Sequence, residues 1–210
     1  MPRPTPAFVR AADELAAREP VIARLRDAAG PPMITAPQRT PFEALARAIC
    51  FQQLSGKAAA TIYGRFELAV GGAVTPEAIL DTPLETLRGA GLSAAKAASV
   101  IDLSEKVLDG TVPVGALKKL GDDELVERLV VVRGIGRWTA EMFLIFQLRR
   151  LDVWPVDDLG VRKGYGMAWG LPAMPTPKEL AVLGEPLRPY RSVAAWYCWR
   201  ATELTDVLPA

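Results

Sequence analysis

The chain contains no histidine, and this absence removes the side chain on which many hydrolytic sites depend. Neither a Ser-His-Asp triad nor a Cys-His pair can form, and no histidine can bind a metal or act as a general base. Any chemistry must therefore come from carboxylates, lysine, tyrosine or backbone groups.

Cysteine is almost as scarce, since the chain has only Cys50 and Cys198. Both lie in apolar helical patterns, so we expect them to be reduced thiols in the core, as in a cytosolic protein. Two cysteines are too few for a four-cysteine zinc or iron–sulfur site. The sequence therefore predicts no iron–sulfur cluster.

Neither sign of charge dominates, because 25 Lys and Arg residues face 24 Asp and Glu residues and the net charge is +1. Attraction of the whole chain to nucleic acid is therefore excluded, and any such binding needs a local surface. The sequence also lacks a secretory signal and an apolar run of about 18 residues. We expect a cytoplasmic protein that neither crosses nor contacts a membrane.

Alternation typical of strands is nearly absent, whereas apolar residues recur at spacings of three and four. This pattern predicts an all-α fold. Thr40, Pro41 and Glu43 form a capping-box pattern at one helix start, and Ser93 is expected to cap another helix. A helix is also expected after Asp158, in "DLGVRKGYGMAWG", although its glycines weaken that prediction.

The stretch "VVVRGIGRWTAEMF", residues 130–143, joins two predicted helices through the turn Gly134–Gly136. One interpretation is a simple tight turn between helices. The other is a phosphate site, because N–H groups at the start of a helix bind anions and glycines allow close approach. Arg133 and Arg137 favour an anion but could equally be solvated.

Two adjacent acids, Asp157 and Asp158, follow a loop that contains proline and precede an amphipathic segment. An aspartate at a helix start can simply be a cap, which contributes about 1 kcal/mol. It can also be an ionised group that stabilises positive charge or positions water in a cleft. Since adjacent acids rarely do the same job, we expect one to cap the helix and the other to face the cleft.

Taken together, "RGIGRWTAEMFLIFQLRRLDVWPVDDLGVRKG" resembles the helix-hairpin-helix DNA glycosylase superfamily. Within it, the likeness is closest to the alkylation-repair branch, DNA-3-methyladenine glycosylase II. The stretches "AICFQQLS", "GLSAAKAASVIDLSEKVLDGTVP" and "RPYRSVAAWYCW" extend the likeness over about residues 40–204. The resemblance implies an all-α fold of two helical subdomains with the active-site cleft between them.

The resemblance also implies how the chain is organised into one compact glycosylase domain. One subdomain would contain residues 1–40 and 155–210, and the other residues 41–154, with the helix-hairpin-helix at 121–149. About 40 residues precede the matching region and look helical. No N-terminal β domain is therefore expected.

The family's catalytic aspartate directly precedes Leu or Tyr and a short helix, which matches Asp158 before Leu159; Asp157 is the alternative. Members with lyase activity carry a lysine two residues after the second hairpin glycine. Here that position is Trp138, twenty residues before Asp158. The resemblance therefore implies a monofunctional enzyme that hydrolyses the N-glycosidic bond, needs no cofactor and has no lyase activity.

Trp138 and Trp199 correspond to the family's aromatic pocket positions. A cationic alkylated base would stack on tryptophan, although either residue could instead belong to the core. Met142 stands where a relative has tyrosine, so this wall of the pocket is less aromatic. Three further tryptophans are expected in the core or at the rim of the cleft: Trp154, Trp169 and Trp196.

The family also implies a wedge that fills the gap left by the flipped base. Alignment places Gln53 at this position, and Leu54 is the alternative because leucine is physically the better wedge. An ordinary helix end is the interpretation without a DNA role.

The hairpin is implied to grip the DNA backbone and to hold a structural Na⁺ or K⁺ ion. The residues expected to contact phosphate are Gly134, Gly136, Arg137 and Thr139. The expected cation ligands are the backbone carbonyls of Val130, Val132 and Ile135. A contact confined to this region reconciles DNA binding with the net charge of +1.

The implied function is base excision repair by a nucleoid-associated monomer acting on double-stranded DNA with alkylated bases. 3-Methyladenine is the first expected substrate and 7-methylguanine the second; 1-methyladenine, 3-methylcytosine, ethenoadenine and hypoxanthine stay open. The alternatives are a non-catalytic helix-hairpin-helix DNA-binding module and a helical protein-interaction domain. The carboxylate and the two aromatic residues argue against the module, because binding alone needs neither.

Overall fold

The computed structural model describes residues 3–204, in which nearly all regular structure is helical. The α-helices are α1 (Pro6–Ala16), α2 (Pro20–Ala29), α3 (Pro41–Phe51), α4 (Gly56–Ala69), α5 (Pro76–Leu80), α6 (Leu84–Gly89), α7 (Ala94–Leu108), α8 (Asp122–Val130), α9 (Arg137–Phe146), α10 (Leu159–Ala168), α11 (Pro177–Leu183) and α12 (Arg191–Ala201). Short 3-10 turns occupy Leu117–Lys119 and Glu185–Leu187. In the described range, strand-like pairing is limited to an isolated bridge between Pro4 and Thr35, which confirms the predicted all-α fold. None of the helices described is both long and apolar enough to span a bilayer.

Two compact units make up the chain. The first unit combines Met1–Pro37 with Leu144–Ala210, and the second is Gln38–Phe143. The second division falls inside α9. Each unit buries its own apolar side chains, among them Tyr197 in the first and Leu103 in the second.

Helix α12 is the centre of the first unit, because its side chains from Ser192 to Cys198 are all buried. Helices α1, α2 and α10 pack against it. The hydroxyl of Ser192 accepts a 2.9 Å hydrogen bond from Val153 N, and the Tyr197 hydroxyl donates to Gly30 O over 3.1 Å. These contacts fix the first two turns of α12, and the turn that follows carries Trp199.

Helix α10 can approach α12 closely because two of its three glycines face α12. A Cβ at Gly164 would overlap the backbone carbonyl of Cys198. A Cβ at Gly160 would lie 2.8 Å from Cδ1 of Trp199, which is closer than carbon atoms pack. The glycines that weaken the prediction of this helix are therefore what allows it to dock.

In the second unit, α7 packs against α3, α5 and α6, and α3 also packs against α4. The buried face of α7 includes Val100 and Leu103, and that of α3 includes Leu45 and Ile49. Helix α7 therefore contacts both earlier and directly preceding helices of this unit, and its buried face belongs to the unit's core.

The predicted caps are formed in part. Ser93 accepts a 3.2 Å hydrogen bond from Lys96 N, as expected. Thr40 accepts one from Glu43 N, also at 3.2 Å, but the carboxylate of Glu43 pairs with Arg39 at 2.9 Å and accepts from Tyr63. The reciprocal bond that defines a capping box is therefore replaced there by an ion pair and a tyrosine.

Candidate active site and helix-hairpin-helix

Asp158 caps α10 and is nevertheless buried, with 8% of its surface exposed. Its backbone is extended, and its Oδ1 accepts hydrogen bonds from Val161 N at 2.8 Å and from Trp199 Nε1 at 2.9 Å. A carboxylate at a helix start is favoured by the free N–H groups and by the dipole. The sequence thus places an acidic group in a buried position where two fixed donors orient it.

The neighbouring Asp157 is exposed. Of the two acids, Asp158 is therefore the cap of α10, and it is also the one that is enclosed. Oδ1 can serve both Val161 and Trp199 since a carboxylate oxygen accepts more than one hydrogen bond.

Trp199 is the second member of this cluster, and its ring is part-buried. It stacks on Phe146 with ring centroids 5.7 Å apart and an interplanar angle of 24°. Phe146 is 44% exposed and was not predicted as a site residue. The available signal was its spacing: Trp138, Met142 and Phe146 follow one another at four-residue intervals and so share one side of α9.

The thiol of Cys198 lies next to this cluster in sequence and is buried. Complete burial, together with the negative charge of Asp158, raises the pKa of Cys198 well above that of an ordinary thiol. Burial likewise raises the pKa of Cys50, to about 12. Both cysteines are therefore protonated core residues, as the sequence predicts.

The tryptophans separate into two groups. Trp138, near the start of α9, is 48% exposed and is therefore not a core residue. Trp154 is buried and donates to Leu180 O at 2.8 Å, Trp169 stacks on Tyr165 with centroids 4.0 Å apart, and Trp196 is buried. Trp138 therefore differs from these three in being accessible to solvent.

Residues 131–136, which we call the hairpin turn, connect α8 to α9. Gly134 has a φ of +79°, and a Cβ there would lie 2.7 Å from Ser99 Oγ. Only glycine fits both constraints. Gly136 is different: its φ is not positive and nothing lies within 4 Å of the position of a Cβ. The fold therefore requires Gly134, whereas it leaves open space beside Gly136.

The residues around the turn differ in how accessible they are. Val132 and Ile135 are buried and anchor the turn by packing. Arg137 is exposed but pairs through Nε with the buried Glu141 at 3.0 Å. Thr139 is buried, at 8% exposed, so a phosphate contact by its side chain has little surface to use. Arg137 is the more accessible of the two predicted side chains.

Residues 52–55, which we call the wedge turn, connect α3 to α4. Gln53 has a φ of +56°, a conformation that residues other than glycine rarely adopt. Both Gln53 and Leu54 are exposed, the latter by 39%. A strained, exposed turn is typical of a site held for function rather than for stability.

The carbonyls predicted to bind a cation lie at the end of α8 and in the hairpin turn. The carbonyl of Val132 accepts a 3.0 Å bond from Ile135 N, and a carbonyl oxygen can accept a second interaction. A set of uncharged oxygens suits a hard, singly charged ion better than a transition metal. In the part of the chain that the structure describes, no cluster of His, Cys, Asp or Glu side chains is arranged to hold a metal.

The sequence pattern of the HhH-GPD superfamily base excision DNA repair proteins matches residues 46–189. The DNA-3-methyladenine glycosylase 1 of Schizosaccharomyces pombe is 42% identical over 172 residues, which cover 80% of this chain and 75% of that protein. The chain belongs to the HhH-GPD superfamily. The family predicted from the hairpin and the aspartate is confirmed.

Solved structures of other HhH-GPD proteins have the same fold. The 3-methyladenine DNA glycosylase Mag1 of S. pombe, in complex with abasic DNA, superimposes with a TM-score of 0.80 at 39% identity, covering 94% of this chain and 98% of that one. The DNA-3-methyladenine glycosidase of Bacillus halodurans gives a TM-score of 0.84 at 33% identity, covering 98% and 93%. The predicted helix-hairpin-helix glycosylase fold is confirmed.

The HhH-GPD match includes the wedge turn, the hairpin turn and Asp158, but it ends before Trp199. Trp199 is nevertheless bonded to Asp158 within the first unit. One of the hydrogen bonds that orient the enclosed carboxylate therefore comes from a residue outside the part of the chain that the family's sequence pattern matches.

Proposed function

We propose that this HhH-GPD protein is a DNA glycosylase that releases alkylated purines, 3-methyladenine first and 7-methylguanine second, from duplex DNA and so starts base excision repair. The observation that carries the proposal is the buried carboxylate of Asp158, oriented by Val161 and Trp199. The substrate class is supported by the relatives, which are named as 3-methyladenine glycosylases.

One carboxylate suffices for this reaction because alkylation at N3 or N7 gives the purine a positive charge and makes it a good leaving group. As the glycosidic bond breaks, the sugar acquires positive charge, as in other glycosyl transfers. The fixed carboxylate of Asp158 stabilises that charge and faces little bulk water, so its effect is stronger than in solution. Water then adds to the sugar, and no histidine is needed.

The stacked rings of Phe146 and Trp199 support recognition of the base. A cationic purine gains about 1–2 kcal/mol from an aromatic face when it is removed from water. This gain helps to offset the few kcal/mol needed to unstack and flip the base. The exposed indole of Trp138 and the side chain of Met142, on the same side of α9, are proposed as further pocket residues.

The hairpin turn is proposed to bind the backbone of the flipped strand. The free N–H groups at the N-terminus of α9, together with the helix dipole, attract anions. The open space beside Gly136 lets a phosphate approach them. A monovalent cation on the carbonyls of Val130, Val132 and Ile135 would be structural, holding the turn without taking part in bond cleavage. Gln53 or Leu54 is proposed to fill the gap in the duplex.

The test is base release from duplexes that contain 7-methylguanine or 3-methyladenine. Asp158→Asn removes the charge but keeps an oxygen that can cap α10, since Asn is also a good N-cap. We expect the rate to fall on the order of 100-fold or more, with little change in thermal stability. Asp157→Asn, an exposed neighbour, is the matched control and should release base at the wild-type rate.

Two outcomes would contradict the proposal. If Asp158→Asn releases base as fast as the wild type, the carboxylate is not catalytic. If the wild type binds an abasic-analogue duplex but releases no base from any alkylated duplex, the chain is a non-catalytic DNA-binding module. Duplexes with one lesion each, extended to 1-methyladenine, 3-methylcytosine, ethenoadenine and hypoxanthine, define the substrate range.

A further inference from the structure

One side of α7 carries polar residues that reach both the wedge turn and the hairpin turn. Lys96, Ser99 and Asp102 follow one another at three-residue intervals, so they lie on one side of the helix. All of their contacts described below are within the second unit. None of the three was singled out by the motifs in the sequence.

At its first turn, α7 holds the end of α3. The ammonium group of Lys96 donates to the carbonyls of Cys50 and Gln52, both at 2.8 Å. Carbonyls at a helix C-terminus lack partners within the helix, and a positive charge there is also attracted to the negative end of the helix dipole. Lys96 thereby fixes the backbone immediately before Gln53, the residue in the rare left-handed conformation.

One and two turns further along, α7 holds the hairpin turn. Oδ2 of Asp102 accepts a 2.7 Å hydrogen bond from Arg133 N. The hydroxyl of Ser99 occupies the space that a Cβ at Gly134 would need. The backbone at Arg133 and Gly134 therefore rests directly on α7.

Gln52 joins the two turns to each other. Its side chain Nε2 donates to Gly134 O at 2.7 Å, while its own carbonyl accepts from Lys96. The contacts form a closed circuit, in which α7 holds Gln52, Gln52 holds Gly134, and α7 holds Arg133. Neither turn can shift without breaking at least one hydrogen bond of this circuit.

We propose that Lys96 and Gln52 are positioning residues that keep the wedge turn at a fixed place relative to the hairpin turn, so that gripping the strand and filling the gap in the duplex occur in register. This inference rests on the proposed DNA contacts of the two turns. Neither residue is assigned a contact with the base or the sugar.

The test uses a duplex with a tetrahydrofuran abasic analogue and 2-aminopurine in the opposite strand, whose fluorescence reports a side chain entering the gap. Lys96→Met and Gln52→Met remove the donors but keep most of the side-chain volume. We expect each to lower the fluorescence change and the rate of 7-methylguanine release roughly tenfold, because each variant loses hydrogen bonds that hold the wedge turn in place. The double variant should lose little more than the worse single variant, since both act through one circuit.

Lys96→Arg should recover a large part of both signals, because a guanidinium can donate to the same two carbonyls. Lys178→Met, on α11 in the first unit, is the matched control and should behave as the wild type. Thermal unfolding of each variant separates positioning from collapse, and the melting temperature of Lys96→Met should stay within a few degrees of the wild type.

A wild-type fluorescence change in Lys96→Met, or losses that simply add in the double variant, would overturn the inference. The inference would also be overturned if the loss of the fluorescence change matched a fall in melting temperature and Lys96→Arg did not restore it. If the wild type releases no base but its fluorescence change depends on Lys96, the positioning role stands and the proposed enzymatic function fails.

Discussion

The indole N–H of Trp199 donates a 2.9 Å hydrogen bond to Oδ1 of Asp158, and the two residues are 41 positions apart in the chain. The same oxygen accepts the N–H of Val161 as the cap of α10. The orientation of the carboxylate therefore depends on its own helix and on the last turn of α12. The proposed catalytic group is therefore oriented only when α10 and α12 of the first unit have packed together.

Trp199→Phe tests this relationship because it removes the indole donor and keeps an aromatic ring that can stack on Phe146. Loss of a hydrogen bond to a charged acceptor is worth about 1.5–3 kcal/mol, so we expect base release to slow roughly tenfold or more. Single-turnover kinetics with 7-methylguanine duplex measures it. Trp169→Phe, whose ring stacks on Tyr165, is the control and should leave the rate unchanged. Equal rates in Trp199→Phe and the wild type would show that the indole does not orient Asp158.

Gly160→Ala should disturb the same pair by crowding. The added Cβ would lie 2.8 Å from Cδ1 of Trp199 and 3.1 Å from Oδ1 of Asp158. We expect a loss of stability of about 1–3 kcal/mol, as for other overpacked sites, together with slower base release. Gly64→Ala, inside α4 with nothing within 4 Å, should instead stabilise by roughly 0.5–1 kcal/mol. Urea unfolding of both variants checks the opposite signs, and a stable, fully active Gly160→Ala would contradict the packing.

Gly134→Ala and Gly136→Ala distinguish a tight turn from a phosphate grip. The first should destabilise the chain, because alanine is strained at a φ of +79° and meets Ser99. The second should fold normally, since the space is open, yet bind abasic-analogue duplex more weakly if a phosphate uses that space. Thermal unfolding and a binding titration at two salt concentrations measure both effects. If Gly136→Ala binds DNA like the wild type, the turn is only structural at this position.

Asp102 should contribute stability that is lost in acid. Burial alone would raise the pKa of Asp102, but hydrogen bonds from Lys106 and from Arg133 N outweigh it and hold the pKa below its usual value. Since folding favours the ionised form, this stabilisation is fully present above the unfolded pKa of about 3.9 and disappears as the pH falls through the lower folded value.

Asp102→Asn should therefore flatten the decline in unfolding free energy below about pH 4. Urea unfolding between neutral and acidic pH measures the slope, and hydrogen exchange at Arg133 N reports the local effect. Asp81→Asn, an exposed acid at the end of α5, should keep the wild-type slope. An unchanged slope in Asp102→Asn would show that this carboxylate gains nothing on folding.

The resemblance in sequence implies that Trp138 stands where lyase-active members carry a lysine, so we expect no Schiff base with the abasic sugar. Borohydride treatment during turnover should trap no covalent adduct, while alkali should reveal abasic sites in the same samples. A trapped adduct would overturn the monofunctional assignment.

The sequence predicted the helices well because their signals are local. Thr40 and Ser93 mark helix starts at the positions where the structure has them. Where partners compete, local signals fail: Glu43 pairs with Arg39 and Tyr63 rather than with the backbone of its own cap. The glycines of α10 predicted a weak helix because glycine has low helix propensity. The sequence alone does not show that α12 packs against these glycines and leaves no room for a side chain.

The site was predicted in part for the same reason. The loop before and the helix after marked the pair Asp157 and Asp158, and the family resemblance selected Asp158 because it directly precedes Leu159. The bond from Trp199, the stacking of Phe146 and the bridge from Gln52 to Gly134 join residues far apart in sequence. No motif encodes such pairs, since they depend on how the helices pack.

The absence of room at Gly164 has a consequence for anyone who maps this protein by saturation mutagenesis. Every substitution there must push the Cys198 carbonyl away, so the position will score as intolerant because of a contact between two helices. A map based on loss of activity alone will therefore include positions whose variants fail to fold as well as positions that act in catalysis. Measuring the amount of folded protein for each variant separates substitutions that disrupt the packing of α10 on α12 from those that alter the carboxylate of Asp158.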